Sequence, residues 1–270
     1  MTTPKRPIKL DPRARLRDTA RVVGGGAALF AVVQTIGAYM AQNHTGAVVA
    51  QVVVAELGTG WLGVTWSDPL APMPTAGTMA KRALRGAAFG AAASVILVGA
   101  SVLVHAAKAG AGSAGVAPIL MGLFMSAFVA ARDELLLRGL PLRALGKQTP
   151  VWLRLLVCGL AAGAFRFGAG PEGVSAASVA FSALSGSALG ALWIEDRGVW
   201  LAWGANAAFT FVTGTLAQGT LIDVTAAKGL DASLVAIVCG VFFAASGAAL
   251  VMRIKRGAAS NEDGRGKGLQ

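Results

Sequence analysis

A chain of 270 residues that is 55% hydrophobic and only 14% charged carries too much apolar surface for a water-soluble globule. Its formal charge of +11 does not point to nucleic acid, because Lys and Arg gather in short clusters between apolar stretches rather than along a polar face interleaved with aromatics. A spanning helix takes roughly 20 residues, so this length holds about eight spans with short connections, and the expected fold is an all-α, polytopic transmembrane bundle.

Residues 1–21 contain Lys5, Arg6, Lys9, Arg13, Arg15, Arg17 and Arg21 together with Pro4, Pro7 and Pro12, and read as a basic cytoplasmic leader without a convincing cleavage site. The apolar stretch behind it is longer than a signal-peptide core of roughly 7–15 residues and is read as a retained first span. Apolar windows then place spans at 22–41, 46–66, 86–107, 110–131, 151–170, 173–194, 198–218 and 232–252, giving a transmembrane domain over 22–252. The second window is the weakest, because Glu56 lies inside it and a charge near a span centre costs about 2.5–3.5 kcal/mol on insertion scales. Residues 253–270 are polar and Gly-rich and are expected to form a disordered cytoplasmic tail.

Charge supports an even number of spans. With eight, the leader, Lys81, Arg82, Arg85, Arg143, Lys147, Arg197, Arg253, Lys255 and Arg256 all face one side, which keeps both termini cytoplasmic, while the other side retains Lys108 and Lys228. Cys158 and Cys239 fall inside spans as small apolar side chains, without a disulfide or metal framework. Ser182, Gly186 and Gly190 recur every four residues, the spacing that lets helix backbones approach closely in lipid. Gly24, Gly25 and Gly26 follow no strand and precede no Lys-Ser/Thr, so they are not a phosphate loop.

The chemically informative run is Arg132-Asp133-Glu134-Leu135-Leu136-Leu137-Arg138-Gly139. Two adjacent carboxylates beside an apolar helix need a reason. Glu134 and Arg138 are four residues apart, on one helix face, where an ion pair can keep Glu134 charged. Asp133 points elsewhere, toward another partner or a water-filled cavity. The competing reading is a helix end that surfaces into the headgroups, where charges are ordinary. His44 and His105 are the only histidines; both are expected on the far side from these carboxylates, and no cluster with metal-ligand spacing is present.

The run resembles the first signature, E-E-x-x-x-R-G, of the CAAX protease and bacteriocin-processing family of intramembrane endopeptidases, often grouped as Abi proteins. The family's second signature, F-x-x-x-H, corresponds to Phe165-Arg166-Phe167-Gly168-Ala169, and its third, H-x-x-x-N, to Asn206 through Thr210 behind Gly198-Val199-Trp200. The resemblance covers about 124–211. It implies an eight-helix scaffold in which a carboxylate and a histidine activate water, with Asp133, Glu134 and Arg138 as candidate catalytic residues. Both motif histidines are replaced, by Ala169 and Asn206, and Thr210 replaces the final Asn. Asp133 is one methylene shorter than the family's first Glu, Ala169 can neither ligate nor donate, and Asn206 retains only an amide, a candidate oxyanion donor but a poor zinc ligand. Arg166 is a new charge beside the lost histidine. It is expected to pair with Asp133 or Glu134, or else to snorkel to the headgroups.

The reading that follows is a degraded, pseudoprotease member that binds or regulates a membrane-embedded or lipidated protein or peptide, with no cofactor and no metal. Two alternatives stand beside it: an active endopeptidase using Asp133 and Glu134, and a small transporter or channel, although no inverted repeat is visible. The expected partner environment is the lipid bilayer, with no nucleic acid. A prokaryotic inner membrane follows only from the resemblance and the Ala/Gly-rich composition.

Overall fold

The computed structural model describes residues 12–67, 73–103, 105, 107–112, 115–167, 175–218, 220–226, 240 and 246–247. Residues 1–11, Ala169, the tail 253–270 and all of the 232–252 window except Gly240, Ser246 and Gly247 lie outside that description. The described chain is helical almost throughout: α1 (Pro12–Tyr39), α2 (His44–Trp61), α3 (Ala76–Leu103), α4 (Val116–Glu134), α5 (Leu140–Leu145), α6 (Val151–Phe167), α7 (Ala176–Asp196) and α8 (Trp200–Phe211).

Four helical segments are long and apolar enough to cross a bilayer, Leu16–Tyr39, Ala76–Leu103, Val116–Leu145 and Ala176–Asp196. Length and composition therefore support a multi-pass membrane protein, with fewer such helices among the described residues than the eight apolar windows. The 46–66 window is the 18-residue α2, and Glu56 lies on its exposed face, where both carboxylate oxygens accept the Trp66 indole N–H at 2.8 Å. The first helix begins at Pro12, so nearly half of the basic leader is already helical.

The third long segment departs most from expectation. Rather than ending near residue 131, it runs on to Leu145, because Leu135–Gly139 form one wider turn in which the Leu140 N–H reaches back five residues to the Leu135 carbonyl. Such single π turns insert a residue without breaking the helix and recur at functional sites. Asp133 and Glu134 thus lie within the segment, about 16 Å of helical rise from Leu145. A second turn of this kind, Val212–Leu216, follows α8.

Polar contacts gather helix ends at one pole. Arg143 Nη2 meets Asp18 Oδ2 at 2.8 Å, Arg82 meets Asp196 at 3.1 Å, and the Val199 N–H donates to the Trp66 carbonyl at 3.0 Å. These contacts bring together the starts of α1, α3 and α8 with the ends of α2, α5 and α7, so Arg82, Arg143 and Arg197 share that pole. At the other pole stands a feature absent from the all-α expectation. Strand β1 (Ala107–Ala111) pairs antiparallel with β2 (Ile222–Ala226), Ala109 opposite Val224, and carries Lys108. The β-branched Ile222, Val224 and Thr225 suit a strand, whereas Ala107–Ala111 has no strand preference of its own and is held extended by the pairing.

Helix packing rests on missing side chains. Gly86 and Gly90 of α3 lie on α8 so closely that a Cβ at either would strike the carbonyl oxygen of Leu201 or Ala205, and Gly204 stands in the same relation to Ala83. Gly186 and Gly190 of α7 face Ala162 and Cys158 of α6, so the expected small-residue seam is real and α6 is its partner. Lipid offers no hydrophobic drive between helices, so this close van der Waals contact holds α3 and α7 in place. Gly90→Leu is expected to destabilise the detergent-solubilised protein by about 1–3 kcal/mol or more through overpacking, whereas Gly24→Leu, where nothing lies within 4 Å, leaves the thermal transition near wild type.

Candidate functional site

The site grows from the turn at Asp133 and Glu134. Glu134 is completely buried, with 0% exposure, which removes the reading that this helix end surfaces into headgroups. Its neutralisation is local: Arg138 Nη1 lies 3.3 Å from Oε1, the pair expected from the four-residue spacing. The same oxygen accepts the Asn206 side-chain amide at 2.9 Å, across 72 positions of sequence. Glu134 Oε2 and Arg138 Nε have no hydrogen-bond partner among the described residues. Arg138 Nη1 also donates to the Asp133 carbonyl at 3.3 Å, so one guanidinium braces both backbone and side chain of the turn.

Asp133 belongs to a second pair. Its Oδ1 accepts Arg132 Nε at 2.8 Å and lies 2.7 Å from Arg132 Nη2. Arg132 then reaches across the bundle: its Nη1 donates to Gln51 Oε1, and Gln51 Nε2 donates to the Val33 carbonyl at 2.9 Å. The Arg132 guanidinium carbon stands 5.2 Å from the centre of the Phe165 ring, and Phe165 meets Phe30 edge-on at 5.3 Å. One arginine therefore joins α1, α2, α4 and α6 through hydrogen bonds and a cation–π contact.

Asn206 is placed by the entry to α8. Asp196 Oδ2 accepts the Leu201 N–H at 3.1 Å, Trp203 Nε1 donates to the Ala127 carbonyl at 2.9 Å, and Trp66 lies against Trp200 with ring centres 5.3 Å apart. These contacts fix how α8 lies against α4 and bring Asn206 to Glu134. Thr210, one turn on, approaches Asn206 Oδ1 with its hydroxyl at 3.5 Å.

A cavity of about 330 Å³ opens beside this constellation, between α4, α6, α7 and α8, with Ala93 and Leu97 of α3 at its edge. Its polar wall holds Arg132, Asp133, Arg138, Arg166, Asn206 and Thr210. Of the sequence candidates, Asp133, Glu134, Arg138, Asn206, Phe165 and Thr210 converge here, while Ala169 lies outside the described residues. The expected pairing of Arg166 with Asp133 or Glu134 does not occur. Arg132 and Arg138, nearer in sequence, already occupy those carboxylates, and Arg166 stands exposed at the cavity wall.

Arg132 and Gln51 are the residues that sequence reasoning missed. Arg132 carried a signal, a third charge in a helix that turns out to be buried, but nothing local names Gln51, 81 positions away. Among the described residues no three or more of His, Cys, Asp and Glu come together.

Residues 115–212 match the family model described as Rce1-like, type II CAAX prenyl endopeptidase. The match contains both carboxylates, Arg138, Phe165 and Asn206, and begins just before α4. No curated protein and no solved structure matches the chain.

Removing one partner of the buried pair leaves an uncompensated charge, a loss of about 3–5 kcal/mol in general. Glu134→Leu is therefore expected to destabilise the protein by about that amount, and the double variant Glu134→Leu/Arg138→Met by much less, measured by thermal unfolding in one detergent. Equal losses in the two variants would show that the pair is not the unit holding the turn.

Proposed function

We propose that this chain, which over residues 115–212 matches the Rce1-like CAAX prenyl endopeptidase family model, is a non-cleaving member of that family whose former catalytic centre serves as a fixed polar core and binding cavity. The observation that carries the reading is the hydrogen bond from Asn206 to Glu134, at 2.9 Å. The resemblance places at position 206 the histidine of a His/Asn pair that steadies the oxyanion or holds a metal. An amide there cannot take up a proton near neutral pH. Glu134 instead spends one oxygen on two fixed donors, and Asp133 is held by Arg132. A general base must reach the proton it abstracts, and one oxygen of each carboxylate is already engaged by protein donors.

The same argument covers a metal. Each carboxylate is matched to a guanidinium, no imidazole stands near, and the remaining side chains are an amide and a hydroxyl, a donor set that does not fit a divalent transition metal. The reading accordingly includes no cofactor.

The cavity beside the paired carboxylates suits a membrane-embedded or lipidated protein or peptide that is held or shielded rather than cut. The pole that gathers Arg82, Arg143 and Arg197 is assigned to the cytoplasmic side by the positive-inside rule, in keeping with cytoplasmic termini and, from composition and resemblance, a prokaryotic inner membrane. Active hydrolysis through Asp133 and Glu134 remains the rival, favoured by the unpartnered Glu134 Oε2, with Asn206 as oxyanion donor through its second amide hydrogen.

The deciding experiment incubates purified protein, reconstituted in detergent, with prenylated and unmodified peptides beside Glu134→Gln and Ala169→His/Asn206→His. No cleavage by the unaltered protein is expected, with slow cleavage gained by the histidine variant if the substrate groove persists. Cleavage by the unaltered protein that disappears in Glu134→Gln would overturn the proposal.

A further inference from the structure

Among the described residues the charges that line the cavity do not balance. Arg132 is matched by Asp133 and Arg138 by Glu134, while Arg166 makes no hydrogen bond or ion pair among the described residues. Among the described residues one formal positive charge is therefore left over on the polar wall. The same cavity lining includes Asn206 and Thr210. The Nε of Arg138, on a residue only 4% exposed, is a buried donor without an acceptor among the described residues. The rest of the lining is mostly apolar, with Leu97, Val129, Phe181, Leu189 and Phe209 beside the hydroxyls of Ser182 and Ser185. An unmatched cation and an unfilled N–H donor in a low-dielectric setting favour a bound anion with oxygen acceptors. The apolar part of the lining favours a hydrocarbon substituent on it.

From this charge count and wall chemistry we infer that the cavity binds an amphiphile with one anionic oxygen headgroup, a carboxylate or a phosphodiester, with Arg166 as its principal charge partner and Arg138 Nε as a supporting donor. This deepens the binding role proposed above and rests on the carboxylates being occupied by Arg132 and Arg138 rather than free for chemistry. A single negative charge restores neutrality; a second would be left uncompensated. The volume of about 330 Å³ falls at the lower end of small-molecule sites, room for a headgroup and the first part of a chain rather than a whole lipid.

The test uses the full-length protein in a nonionic detergent, titrated with phosphatidylglycerol, oleate or net-neutral phosphatidylcholine. Retained ligand is read by native mass spectrometry and stabilisation by the shift in thermal unfolding. Either phosphatidylglycerol or oleate is expected to bind and stabilise, and which of the two does so separates the phosphodiester from the carboxylate. Phosphatidylcholine is expected to bind at least roughly tenfold more weakly. Arg166→Gln should weaken the anionic ligand by roughly tenfold to a hundredfold, the effect of losing one charge-assisted hydrogen bond. Arg166→Lys should recover a large part of that loss, and Arg197→Gln, at the basic pole, should have none. Binding that is insensitive to Arg166→Gln, or reduced equally by Arg197→Gln, would overturn the assignment in favour of general attraction of anionic lipid to a basic protein. Peptide cleavage by the unaltered protein would sink the non-cleaving reading, while lipid binding dependent on Arg166 would still stand, so the two failures are distinguishable.

Discussion

A carboxylate sealed from water inside a membrane-embedded bundle has to be neutralised where it sits, and the architecture around Glu134 follows from that requirement. Arg138 supplies the charge from one turn along the same helix, and Asn206 supplies a donor from a helix that must be brought close to deliver it. That approach depends on α8, which in turn depends on glycines at its crossing with α3 and on Asp196 at its start. The buried pair is thus less a source of stability than a condition the fold has to satisfy. Buried ion pairs commonly contribute little net stability and lose much when one partner is removed.

The second pair, Arg132 with Asp133, works differently. It reaches outward through Gln51 to the Val33 carbonyl and through Phe165 to Phe30, tying the first two helices to the segment that matches the protease family. The family match begins at residue 115, and the helices before it are joined to the site by this chain of contacts. Two adjacent carboxylates therefore divide the labour, one facing α8 and the other facing α1 and α2. The wider turn at Leu135–Gly139 lies immediately after them and lets the helix continue to Leu145 past the charged turn.

Local spacing made part of this legible before any coordinates. Apolar windows located most of the helices, the four-residue separation of Glu134 and Arg138 gave their ion pair, and the third motif led to Asn206 as a site residue. What stayed hidden was non-local or conformational. Gln51 looks like any polar residue of a span until α2 is laid against Arg132. A π turn leaves no hydrophobic period to read, and the five-residue strands are too short and too poor in alternation to be distinguished from a loop. Arg166 is anomalous in sequence, but its pairing with Asp133 or Glu134 fails because Arg132 and Arg138 hold those carboxylates, which no local pattern shows.

The pairing of Ala107–Ala111 with Ile222–Ala226 has a consequence of a topological kind. The two strands flank the family-matched stretch 115–212 on either side, so its entrance and exit are clasped together at one pole and the intervening chain forms a closed loop. A unit whose ends lie side by side can be grafted into another chain, or have new helices appended to either flank, without being pulled apart. The helices that precede β1 pack onto this clasped unit from outside its loop, α3 through its glycine crossing with α8 and α2 through Gln51 on Arg132, so those two contacts are what an exchange of the flanking helices would have to preserve.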